Sequence, residues 1–125
     1  MIIGRVTAER QAVIVVGIRD PGGRVVSVEG VIDTCFSGFL TLSPDIIITL
    51  GLPFVEARYY TLGNGSDVEM RLFRADVVWD DQDKTILVVE ADDDALIGME
   101  LLEGSTLFID VRTGGDVRID VRRTQ

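Results

Sequence analysis

Chemistry in this chain has to come from carboxylates. Histidine is absent and Cys35 is the single cysteine, so no Ser-His or Cys-His pair can be assembled, zinc lacks its usual imidazole ligands and no intrachain disulfide can form. Of the 21 Asp and Glu residues, Asp33 stands apart. It follows the apolar pair Val31-Ile32 and precedes Thr34-Cys35-Phe36-Ser37-Gly38-Phe39-Leu40-Thr41-Leu42. One acid is thus carried on an apolar segment into a small-residue turn, and a second apolar segment leaves at once. Burial at such a point disfavours the ionised form unless donors or a cation hold it, so proton affinity would be tuned there. Cys35 is a poor nucleophile, with no histidine to activate it and acidic surroundings that disfavour thiolate. Ser37 has no base and serves the turn through its hydroxyl.

The elements before Asp33 read as a hairpin. Residues 9–19 carry the apolar core Ala12-Val13-Ile14-Val15-Val16 and end at Asp20-Pro21-Gly22-Gly23, where Pro presets φ and Gly accepts positive φ. Residues 24–33 return as a strand with Val26, Val28, Gly30 and Ile32 on one face, aiming Asp33 from its end. Beyond it, Ser43-Pro44-Asp45 is a helix start: Ser caps, Pro suits the first helical position, Asp complements the dipole, and Gly51 is the stop. The run Ile46-Ile47-Ile48-Thr49 favours a strand by propensity and competes with that reading.

Residues 54–62 and 67–79 are two further strand-like segments, joined by Gly63-Asn64-Gly65-Ser66, a tip that permits tight reversal and motion. Gly63-Asn64-Gly65 is a weak phosphate-loop signal, since neither a helix start nor a Lys follows it. Asp80-Asp81-Gln82-Asp83-Lys84 and Asp92-Asp93-Asp94 bracket an apolar strand at 85–91. They read as solvated turns, because Asp81-x-Asp83-x-Thr85 lacks the third acidic ligand, the Gly and the distal Glu of a calcium loop. Leu96-Ile97-Gly98 reads as a strand end with a close-approach glycine, and residues 99–103 as a short helix stopped by Gly104. Folding 106–112 onto 116–122 around Gly114 sets Arg112 opposite Asp116, Asp110 opposite Arg118, Val111 opposite Val117 and Ile109 opposite Ile119, one face charged and the other apolar.

Composition bounds the rest. A chain of 125 residues with 46% hydrophobic content and no low-complexity stretch fits one domain, 1–125, burying about two-thirds of the surface its unfolded form exposes. A net charge of −9 argues against nucleic acid and anionic membrane surfaces, which need clustered Lys and Arg. The apolar runs are too short to span a bilayer, and Met1-Ile2-Ile3-Gly4 lacks the core of a signal peptide. A cytoplasmic location is expected.

The order apolar pair, Asp33, Thr34, small residue and Phe36-Ser37-Gly38-Phe39-Leu40 resembles the active-site loop of retropepsin-like aspartic proteases of the bacterial single-domain kind, a family with Gly where this chain has Cys35. Leu96-Ile97-Gly98 ahead of a short helix with Leu101-Leu102 is similar to the family's second signature, a strand that buttresses the catalytic loop. The resemblance implies a mainly β fold: a small closed acid-protease barrel with two short helices, one lobe per chain. It implies Asp33, Thr34 and Cys35 as the catalytic triplet, with Thr34 hydrogen-bonding across a dyad. Gly63, Asn64 and Gly65 become the tip of a flap over bound peptide, and Gly98 belongs with them to the peptide-binding residues. Carboxylate hydrolysis of a peptide needs two acids around one water, and one chain offers one such loop. The implied enzyme is therefore a homodimeric aspartic endopeptidase acting on extended peptide or protein segments, with no cofactor and no metal. Its expected contacts are terminal edge strands, with Val117, Ile119 and Val121 as candidates. Cys35 leaves a second function open, a catalytically inactive dimerisation or peptide-binding module on the same fold.

Overall fold

The alternation of β-branched residues that fills this sequence becomes ten strands and two short helices in a computed structural model that describes residues 1–122. In chain order they are β1 (Ile2–Val6), β2 (Ala12–Arg19), β3 (Val25–Ile32), β4 (Leu40–Leu42), α1 (Pro44–Leu50), β5 (Phe54–Thr61), β6 (Asp67–Trp79), β7 (Gln82–Glu90), β8 (Leu96–Ile97), α2 (Met99–Leu102), β9 (Ser105–Ile109) and β10 (Asp116–Val121). The sheet runs β5-β6-β7-β4-β8-β3-β2-β1-β10-β9, and β2 pairs a second time with β6 at Gly17 and Ile18. Pairings therefore return on themselves through β2, β3, β8, β4, β7 and β6, with the other four strands attached outside that ring. Inside lies an apolar core that includes Ile14, Ile18, Leu40, Leu42, Val77, Val88 and Ile97, each at most 1% exposed.

The β2–β3 hairpin forms as expected, with Val13 opposite Val31 and Arg19 opposite Val25. Its first strand starts at Ala12, where the apolar core begins, and not at residue 9, because Thr7 and Gln11 close a turn between them and Arg10 sits there at φ 62°. Helix α1 wins over the strand propensity of its isoleucines. Ser43 Oγ accepts from the Ile46 N–H at 3.4 Å, Pro44 opens the first turn, and Gly51 ends it at φ 63°, a left-handed conformation that costs glycine least. Ile47 and Leu50 then anchor the helix in the core.

Two expectations need correction. The turn after β6 is only two residues long, Asp80 at φ 51° and Asp81 at φ 65°, and β7 begins at Gln82. A two-residue turn with both φ values positive matches the twist of the strands it joins, so the solvated segment is shorter and the strand longer than the run of acids implied. The terminal hairpin is slipped by two residues. Val117 faces Ile109, Ile119 faces Leu107, and Arg118 faces Phe108, its guanidinium 4.2 Å from the ring centroid. The connection is wider than three residues because it is tied to β1: Val6 N–H donates to Gly115 O and Gly114 N–H to Val6 O. Arg112 bonds Asp110, two residues before it in the connection after β9. On the apolar face Val117 and Ile119 fill the core, both 0% exposed, and Val121 is half-buried. Val117 and Ile119 are thus closed to a partner chain.

Candidate active site

Three strands that are distant in sequence frame Asp33. β8 inserts between β3, with which it runs parallel (Ile32 beside Ile97), and β4, with which it runs antiparallel (Leu40 beside Ile97). The Asp33 N–H continues the first ladder, donating to Ile97 O at 2.9 Å. Ile97, fully buried, is paired with both flanking strands, at Ile32 of β3 and Leu40 of β4. The threading is sealed by Thr41, the buried hydroxyl of β4, which accepts from the Leu96 N–H at 2.8 Å.

The loop between β3 and β4 is held from inside and from behind. Inside it, Cys35 N–H donates to Asp33 Oδ1 at 2.9 Å and Phe36 N–H to Asp33 O at 3.1 Å. From behind, Met99 N–H donates to Phe36 O at 2.8 Å, Gly98 N–H to Phe39 O at 3.0 Å and Glu100 N–H to Gly38 O at 3.1 Å. Those donors come from the start of α2, whose first N–H groups have no partner within the helix. Gly98 is needed for the approach: a Cβ there would lie 2.0 Å from Gly38 O and 2.6 Å from the Phe36 ring. The sequence-level reading of Gly98 as a close-approach residue holds, with the loop as what it approaches.

The three loop residues open onto different spaces. Asp33 is half-buried, while Thr34 and Cys35 are exposed. Thr34 borders a groove of about 290 Å³ shared with Arg10, Ile32, Ile109 and Val111. Cys35 borders a cleft of about 470 Å³ on the other side, floored by Phe36, Ser37, Gly38 and Phe39. The far wall of that cleft comes from Arg58 and Tyr60 of β5, Met70 and Leu72 of β6, and Leu87 and Val89 of β7, with Glu100 at its edge. Arg58 Nε donates to Glu56 Oε1 at 2.6 Å. That hydrogen bond and the charge of Glu56, with a lesser contribution from Tyr60, hold the guanidinium above its ordinary value.

Gly63, Asn64 and Gly65 sit at the β5–β6 tip, where Gly65 N–H donates to Leu62 O and Ser66 N–H to Asn64 Oδ1. None of the three lines the cleft, and neither does Gly98. The hairpin meets the loop through its body. Arg58, Tyr60, Met70 and Leu72 escaped sequence reading, although the signal was there: Arg58 pairs with Met70 and Glu56 with Leu72, so strand alternation puts these side chains on one face. Which face turns to Cys35 is decided by the β6–β7 and β4–β7 pairings. Among the described residues no group of three His, Cys, Asp or Glu is placed to hold a metal ion, and no helix is long and apolar enough to cross a membrane.

Searches against protein families and curated proteins return no match. Among solved structures, the chain is similar to a retropepsin-like aspartic protease from Rickettsia conorii, with a TM-score of 0.62, 19% identity, and coverage of 95% of this chain and 89% of that one. At that identity the likeness is one of fold: mainly β, retropepsin-like.

Proposed function

We propose that this chain is an aspartic endopeptidase that works as a homodimer on extended peptide segments. The observation that carries the reading is the placement of Asp33, one carboxylate per chain, on a loop clamped by Gly98, Met99 and Glu100 and flanked by an open cleft. Two copies meeting about a twofold axis would bring two Asp33 carboxylates to one water. Carboxylates that close share one proton and titrate as a unit. The ionised member takes a proton from the water as its oxygen attacks the scissile carbonyl, and the protonated member gives its proton to the carbonyl oxygen. Collapse of the gem-diol breaks the C–N bond as the protonated carboxyl gives its proton to the amine and the other carboxylate takes one from a diol hydroxyl, leaving the dyad singly protonated again. Thr34, exposed beside Asp33, would bond across the dyad, Cys35 would line the subsite next to it, and the 63–65 tip would fold over the peptide. Gly98 would serve the peptide site by holding the loop in place. On this reading residues 1–125 form one domain, the ring of strands is the closed acid-protease barrel, and the protein works in the cytoplasm.

A second reading is favoured by one observation. Cys35 is exposed and lines the cleft, where a glycine would leave room for peptide backbone. A catalytically inactive dimerisation or peptide-binding module on the same fold follows if that thiol blocks productive approach. Cleavage of an unfolded protein between pH 3 and 9 separates the two, comparing the native chain, Asp33→Asn and Cys35→Gly. The protease reading expects activity highest below neutrality in the native chain and none in Asp33→Asn. Inert native and Cys35→Gly chains that remain folded dimers by sedimentation favour the binding module.

A further inference from the structure

We infer that the cleft beside Cys35 recognises peptides carrying a basic side chain, and that Glu100 is the residue that reads it. The inference rests on the endopeptidase reading and names its substrate class. Two charged side chains line the cleft, Arg58 and Glu100. Arg58 is engaged, its Nε bonded to Glu56 at 2.6 Å on the same strand face, so its charge is balanced before any peptide arrives. Lys84 lies over the Phe39 ring, 5.8 Å from the centroid, and does not line the cleft. Glu100 is exposed, and its side chain enters no hydrogen bond or ion pair among the described residues. Its backbone is fixed, because its own N–H is bonded to Gly38 O at 3.1 Å.

The cleft therefore presents one uncompensated carboxylate at the edge of an apolar trough formed by Phe36, Phe39, Tyr60, Met70 and Leu72. That combination suits Lys or Arg. Their methylene stems can lie along apolar surface while the charged head reaches the acid. An acidic peptide side chain in the same place would meet Glu100 with no free cation in the lining, on a chain that already carries −9. The Coulomb attraction acts in the bound complex before any bond is broken, so it belongs in KM more than in kcat.

The test uses extended peptides that differ at one position at a time, with Lys, Gln or Glu at each site flanking a central apolar pair. Both kcat and KM are measured for the native chain, Glu100→Gln and Glu100→Lys. At one flanking position Lys should be preferred over Gln by about threefold to tenfold, the size expected of a partly exposed ion pair, with the gain in KM and fading as salt rises. Glu100→Gln should bring the ratio to about one, and Glu100→Lys should reverse it in favour of the Glu peptide, which a merely structural role would not do. A Lys preference at no position, or one that survives both substitutions, overturns the assignment. Fluorescence anisotropy of the same peptides on the native chain and Asp33→Asn keeps this separate from the protease reading. If nothing is cleaved but Lys peptides bind more tightly and Glu100→Lys reverses the order, proteolysis fails and Glu100 stands. If no peptide binds, Glu100 falls with it.

Discussion

The loop at 33–39, which lines the cleft, and the β5–β6 tip at 63–66, which does not, are both glycine-containing turns, yet they are held in opposite ways. The first gives its Asp33 N–H to Ile97 O, and its carbonyls at Phe36, Gly38 and Phe39 are each matched by an N–H from residues 98–100. The second is closed only by bonds among residues 62–66, on strands that are mostly exposed. Adding a Cβ measures the contrast. At Gly98 it strikes backbone at 2.0 Å, while at Gly63 and Gly65 it meets nothing within 4 Å. Groups that must be held for chemistry belong on the first kind of support, and segments that must yield to a ligand are drawn from the second.

Three substitutions sharpen that contrast, the strongest first. Asp33→Asn keeps the size of the side chain and its acceptor for the Cys35 N–H, so the fold should survive while peptide cleavage falls by about a thousandfold or more, the scale of losing a positioned acid-base group; equal turnover in the variant places the chemistry elsewhere. Gly98→Ala should cost about 3 kcal/mol in a denaturant melt, because the clash is with a backbone carbonyl that cannot rotate away. A loss under 0.5 kcal/mol would mean the clamp is looser than its hydrogen bonds imply. Gly65→Ala, at φ 84° with open space around it, should cost only about 1 kcal/mol from the left-handed backbone. Should it rival Gly98→Ala, the tip is not the free end of the molecule.

Local chemistry was readable from the sequence wherever a single residue type forces a conformation. Ser43, Pro44 and Gly51 placed α1 correctly against the strand propensity of Ile46, Ile47 and Ile48, because capping groups act on named N–H and C=O groups. The β2–β3 and β5–β6 hairpins came from alternation plus turn residues. What alternation cannot give is register by even steps. Slipping the terminal hairpin by two leaves every side chain on its own face, so pairing Val117 with Ile109 or with Val111 looks equally good until the tie between Val6 and residues 114–115 is known. The cleft wall was hidden for a related reason. Arg58 and Glu100 lie 42 positions apart in the chain, and only the path of β7 brings their elements to one hollow.

The insertion of β8 between β3 and β4 also has a consequence in time. Ile97 and Gly98 are made about sixty residues after Asp33, and pairings that distant form slowly because a long loop must close first. A chain leaving the ribosome carries Asp33 and all of α1 while the carbonyls of Phe36, Gly38 and Phe39 still lack their donors. The carboxylate then hangs on an unsupported turn. Only after α2 has been synthesised can the turn take its clamped shape, so the support beneath Asp33 is completed late, by residues 97–100.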